Sequence, residues 1–146
     1  MKKTLLLVED SKVQKLAGER ILLRAGYLVL LASNGEEGLQ LARESRPDLI
    51  LLDLRLPGIE GEEVLHGLKR DPLTRLIPVI IVSDLADSNS AKLKAAGAAD
   101  YFEKSRFLAD QAGEAIFLKM IERVIRESET DKKTSPLVRS QGASSR

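Results

Sequence analysis

Five short apolar stretches punctuate the chain, and segments of helical period fill the spaces between them. Residues 4–8, 27–32, 49–52, 77–82 and 99–102 predict strands. Leu49-Ile50-Leu51-Leu52 and Val79-Ile80-Ile81-Val82 show no polar alternation at all. Runs of that kind belong to strands covered on both faces, as in a parallel sheet between two layers of helices. Residues 12–25, 35–45, 59–69, 88–96 and 107–127 predict the helices. Asn34 and Glu37 have capping-box spacing, Gly26 and Gly97 fall where a helix must turn into a strand, and Pro47 closes the second helix. Leu56-Pro57-Gly58 has the Pro-Gly order of a type II turn. In the last helix Ile116, Met120 and Val124 share a stripe with Phe117 and Ile121, which predicts one face packed on the sheet. The alternation amounts to (βα)5, a doubly wound α/β domain with a five-stranded parallel sheet of order 2-1-3-4-5, flavodoxin-like, with helices on both faces.

The 146 residues, 43% hydrophobic and 31% charged, suit one compact domain, placed at 1–127. Residues 128–146 are rich in Ser, Lys, Gln and Gly and predict a disordered tail or linker. The formal charge of +1 argues against direct nucleic-acid binding. Residues 128–146 carry four basic and two acidic side chains, so the rest of the chain is left at −1. The chain contains no Cys, which excludes disulfides, thiolate metal sites and cysteine nucleophiles. The apolar run after Met1-Lys2-Lys3 is too short for a signal peptide or a membrane span, so a cytoplasmic protein is expected.

Ligands of parallel α/β sheets bind beyond the carboxyl ends of the strands. The residues that follow the predicted strands there are Glu9 and Asp10, Asp53, Ser83, and Glu103 with Lys104. The strand order brings them to one pocket. Three carboxylates so placed need a cation, and an all-oxygen donor set favours a hard ion, Mg2+. A hydroxyl and an ammonium opposite them suit a phosphoryl group. The chemistry these parts can do is phosphoryl transfer to a carboxylate, in which Asp53 would be the nucleophile and the metal and Lys104 would neutralise the transferred oxygens. Taken singly, Asp10 reads equally well as a helix cap, Ser83 as a turn residue and Lys104 as a solvated lysine. The joint placement carries the argument. His66 stands alone in the third predicted helix and reads as a surface histidine.

With those residues in place, the chain resembles the receiver domains of two-component response regulators. The motifs are Leu-Val-Glu-Asp at 7–10, Leu-Leu-Asp-Leu-Arg-Leu-Pro-Gly at 51–58, Val-Ser-Asp at 82–84 and Ala-Gly-Ala-Ala-Asp-Tyr-Phe-Glu-Lys ending at 104. The resemblance implies that Asp53 is the phosphoacceptor, that Glu9, Asp10 and Asp53 hold Mg2+, and that Arg55 lends the metal its backbone carbonyl. It implies that Ser83 is the switch hydroxyl, Tyr101 the aromatic that swings inward after it, and Lys104 the phosphate-contacting lysine. The donor would be a phosphohistidine on a histidine kinase or histidine phosphotransfer protein, or a small acyl phosphate. The output would be a shift of the surface of the fourth helix, fifth strand and fifth helix, felt by a downstream protein, a missing output domain or a second copy of the chain. Such a domain is not an enzyme beyond assisting its own phosphorylation and dephosphorylation.

Two positions depart from the family pattern. Ser105 stands where Pro usually follows the lysine in a cis bond; cis costs about 2.5–4 kcal/mol without proline against about 0.5–1 before it, so the family's loop geometry at Lys104 does not carry over from the resemblance. Asp84 stands where a small residue is usual, and is expected to slow phosphorylation or alter the lifetime of the aspartyl phosphate. These two residues define the alternative of a receiver-like interaction module with impaired phosphorylation. A haloacid-dehalogenase phosphatase would need a second Asp where Arg55 stands, and a flavodoxin-like cofactor binder would need a hydroxyl-rich loop where Glu9-Asp10-Ser11-Lys12 stands.

Overall fold

A computed structural model describes residues 2–84 and 90–134. In chain order the elements are β1 (Thr4–Val8), α1 (Lys12–Arg24), β2 (Leu28–Ala32), α2 (Gly35–Ser45), β3 (Leu49–Leu52), α3 (Gly61–Arg70), β4 (Val79–Ser83), α4 (Ser90–Ala95), β5 (Asp100–Glu103), α5 (Lys104–Ala109) and α6 (Gln111–Thr134). The five strands form one parallel sheet of order β2-β1-β3-β4-β5, the doubly wound α/β architecture expected from the apolar runs.

The uninterrupted runs follow from coverage on both sides. Leu6, Val8, Ile50, Leu52, Val79 and Ile81 point to one face, where they meet Ala42 of α2, Val64, Leu65 and Leu68 of α3, and Leu93 of α4. Their neighbours Leu5, Leu7, Leu49, Leu51, Ile80 and Val82 point to the other, against Ile21 and Leu22 of α1 and Phe117, Ile121 and Val124 of α6. Alternate residues thus serve separate cores, and neither face can take a polar side chain. The helix-to-strand turns at Gly26 and Gly97 use φ of 97° and 113°, open to glycine without a Cβ penalty.

Three features differ from expectation. A short helix, α5, begins directly at Lys104, and α6 starts at Gln111. The break lies at Asp110, which is extended and accepts the Gly113 N–H on Oδ1 at 2.8 Å, capping α6. In the α6 stripe Ile116 is 46% exposed, while Ile125 takes a buried place beside Val124. Finally, α6 continues to Thr134, seven residues past the expected boundary. Residues 128–134 contain neither Gly nor Pro, and Lys3 pairs with Glu129 across to β1. The apolar stripe marks where burial ends, not where helix ends. Residues 135–146 of the expected tail, and 88 and 89 of the fourth predicted helix, lie outside the described residues.

Strand register positions the site. Val8 is level with Leu52 across β1 and β3, so Glu9 and Asp53 leave the sheet side by side. Leu52 is level with Ile81, and Ser83 with Glu103, which brings Ser83 and Lys104 to the same edge. Among the described residues no helix is long and apolar enough to cross a membrane.

Candidate functional site

A cleft of about 670 Å³ opens at the carboxyl ends of β1, β3, β4 and β5. Glu9, Asp10, Asp53, Arg55, Ser83 and Lys104 all line it, as does Asp84. Glu9, Asp53, Ser83 and Lys104 are buried; charged side chains are rarely buried unless paired, and Lys104 pairs with both Glu9 and Asp53. Glu103 does not join them. It is exposed, and its Oε1 accepts the Ser105 hydroxyl at 3.1 Å.

Lys104 ties the group together. Its ammonium donates to Glu9 Oε1 at 2.7 Å, Asp53 Oδ2 at 2.8 Å and Gln14 Oε1 at 2.8 Å. Burial alone would pull this lysine down, but the hydrogen bonds and charges of Asp53 and Glu9 outweigh it and hold its pKa above the ordinary 10.5. Burial pushes the Glu9 carboxyl up. Hydrogen bonds from Lys104 and the Ser11 N–H oppose that rise, and the Asp53 charge adds to it. The site therefore has one cation for two buried anions, with Asp10 exposed beside them. Glu9, Asp10 and Asp53 each offer a carboxylate oxygen, all within 4.8 Å of one another. That spacing, charge and all-oxygen chemistry fit Mg2+.

The Arg55 N–H donates to Asp53 Oδ1 at 3.2 Å, and the Arg55 side chain is exposed. Tyr101 is half-buried, and its hydroxyl donates to the Ser83 carbonyl at 3.2 Å, linking β5 to the end of β4. The described residues contain no cis peptide bond, so the bond before Ser105 is trans. The Ser105 N–H donates to Asp84 Oδ1 at 2.9 Å. The two departures from the motif are therefore partners: a proline at 105 would have no N–H to offer. Gln14, which accepts from Lys104, carries no signal of that role in the sequence: its spacing from Ser11 is that of a local helix cap. His66 is exposed on α3.

A sheet of order 2-1-3-4-5 with an acid cluster, a hydroxyl and a lysine at its carboxyl edge is the arrangement expected of a receiver domain. The chain belongs to the response regulator receiver domains, whose family model matches residues 5–111. It is 38% identical over 105 residues to the polar-differentiation response regulator DivK of Brucella anthropi, covering 71% of this chain and 85% of that protein. It is 42% identical over 102 residues to the transcriptional regulatory protein AfsQ1 of Streptomyces coelicolor, covering 69% of this chain. The matched region spans only 44% of AfsQ1, less than half its length. Among solved structures, the receiver domain of the sensor histidine kinase PA1611 of Pseudomonas aeruginosa superposes with a TM-score of 0.74 at 28% identity, covering 86% of this chain and 98% of that one. That structure holds a magnesium ion in its active-site cleft. A response regulator structure from Chloroflexus aurantiacus superposes at 0.77, also 28% identical, covering 86% and 99% of the two chains.

Proposed function

We propose that the chain is a phosphoacceptor switch in which Asp53 takes a phosphoryl group from a phosphohistidine or a small acyl phosphate. The observation that carries this reading is the position of Asp53. It is buried at the end of β3, bonded to Lys104, and shares a 4.8 Å cluster of carboxylate oxygens with Glu9 and Asp10.

Glu9, Asp10, Asp53 and the Arg55 carbonyl would hold Mg2+, which supplies charge neutralisation for the transferred oxygens. The rest falls to the side chains. An Asp53 oxygen forms the new O–P bond while the donor's P–N or P–O bond breaks, and the leaving group takes any proton it needs from solvent. Lys104 turns from carboxylate to phosphoryl oxygens and keeps its protons. Ser83, at the same edge, moves to donate to the phosphoryl group. Tyr101, whose hydroxyl now donates to the Ser83 carbonyl, would leave that bond and turn inward after the Ser83 hydroxyl, altering the surface of α4, β5 and α6. A downstream partner, an output domain or a second copy of the chain would read that surface. On α1, Val13 and Leu16 are 78% and 51% exposed on either side of Gln14, an apolar rim on which a helical kinase or phosphotransfer partner in the cytoplasm could dock.

Incubation with Mg2+ and acetyl phosphate, followed by intact-mass measurement, tests the reading. A phosphoryl adduct is expected on the wild type and not on Asp53→Ala or in chelator. Absence from the wild type would favour the impaired module. Because Asp84 lines the cleft while its carboxylate is bonded to Ser105, Asp84→Ala is expected to change the rate of adduct formation or loss. Unchanged rates would remove Asp84 from the mechanism.

A further inference from the structure

Gln14 reaches this site by a route that the family motifs do not describe. Ser11-Lys12-Val13-Gln14 has the spacing of a capping box, in which the Gln side chain turns back to the Ser11 N–H. Half of that box is present: the Gln14 N–H donates to Ser11 Oγ at 3.3 Å. The other half is taken by Glu9, whose Oε2 accepts the Ser11 N–H at 3.0 Å. The Gln14 side chain is thus released from the helix end, and its Oε1 accepts from Lys104 at 2.8 Å.

An ammonium has three protons, and Lys104 places them on Glu9, Asp53 and Gln14. The three acceptors are not equivalent. Glu9 and Asp53 are anions of the carboxylate cluster, and phosphorylation would change the charge or the partners of both. Gln14 is neutral, belongs to α1 and lies outside that cluster. It is the anchor that the reaction leaves unchanged.

We infer that Gln14 is a positioning residue for Lys104: its amide oxygen holds the ammonium over Asp53 while Lys104 exchanges carboxylate for phosphoryl partners. The inference rests on the reading of Asp53 as phosphoacceptor. Without Gln14 the ammonium keeps two anchors, both on groups whose charge is being rearranged, and it is aimed at the transferring oxygens for less of the time.

Gln14→Met keeps length and volume but lacks a strong acceptor. With acetyl phosphate and saturating Mg2+, adduct formation is expected to slow roughly tenfold. The Mg2+ requirement should stay within about twofold of wild type, because Gln14 is not one of the clustered carboxylates. In a Lys104→Met background the same substitution should change nothing, since its effect passes through the ammonium. A second readout needs no phosphorylation. With chelator present, the Lys104 ammonium should give a slowly exchanging ¹⁵N–¹H resonance in the wild type that is lost in Gln14→Met. A wild-type rate in Gln14→Met, equal slowing in the Lys104→Met background, or an ammonium signal that survives the substitution would each overturn the assignment. A wild type that forms no adduct would instead overturn the reading of Asp53, and this inference with it.

Discussion

Two lysines lie at opposite ends of the sheet, and burial pulls both in the same direction with opposite outcomes. Lys104, beyond β5, meets two carboxylates, and its pKa stands above 10.5. Lys69, near the end of α3, reaches under the start of β4 and donates to the carbonyls of Arg75 at 3.1 Å and Ile77 at 2.9 Å. Burial lowers its pKa, and the Lys132 charge lowers it further. Carbonyl dipoles complete an ammonium's hydrogen bonds without neutralising it; carboxylates do both. The amino end of the sheet uses lysine as a peg for an irregular turn. The carboxyl end uses it as a counterion for charges that would otherwise repel.

The largest effect should come from Lys104→Met. In chelator it leaves Glu9 and Asp53 buried without a cation, and a loss of about 3 kcal/mol is expected. Mg2+ should return most of that loss, because it acts on the same two carboxylates. Urea unfolding with and without Mg2+ measures both. If Lys69→Met recovered equally on adding Mg2+, the two ends would not differ in the way proposed.

The next effect concerns backbone approach. A Cβ on Gly61 would lie 2.5 Å from both the Asp53 carbonyl oxygen and Leu54 Cα, atoms that cannot give way without moving the Asp53 loop. Gly61→Ala should cost about 2 kcal/mol and also slow phosphorylation. At the other end, a Cβ on Gly97 would meet Lys69 Cγ at 2.9 Å, a flexible neighbour, at a φ of +113°. Gly97→Ala should therefore lower stability while leaving the phosphorylation rate alone. Equal effects on the rate would show that the two ends are mechanically coupled.

The elements legible in the sequence were those under a single strong constraint. Residues 49–52 and 79–82 had to be buried on both faces, so their runs announced a parallel sheet, and its order brought Glu9, Asp10, Asp53, Ser83 and Lys104 together. Features that depend on a choice between two local partners were not legible. Gln14 could cap its own helix or reach Lys104, and only the competing bond from Glu9 to Ser11 decides. Asp110 could continue a helix or cap the next one. Asp84 and Ser105 read as two separate anomalies until the hydrogen bond between them is seen. Ile116 fits the apolar stripe of α6 by spacing, yet α6 meets the sheet along a line through Phe117, Ile121, Val124 and Ile125, which leaves Ile116 outside.

The smallest predicted effect separates the two lysines by pH. Removing the Lys69 hydrogen bonds in Lys69→Met should cost about 1 kcal/mol near neutrality, partly offset because a buried charge is removed with them. The sign of the pH dependence is more telling. Between its lowered folded pKa and 10.5, Lys69 is less protonated in the folded chain than in the unfolded one. The unfolded state then binds more protons, so stability rises with pH across that window. Lys104 acts in the opposite sense. Its ion pairs contribute fully below 10.5 and are lost as pH climbs through its raised folded value, where the folded state holds the extra proton. Wild-type stability should therefore gain the Lys69 share just below 10.5 and lose the Lys104 share above it. Urea midpoints taken from about pH 8 upward should show the Lys69 rise flattened in Lys69→Met and the Lys104 fall unchanged. Wild-type and variant curves that run parallel through that window would mean that Lys69 is not buried enough for its proton to matter.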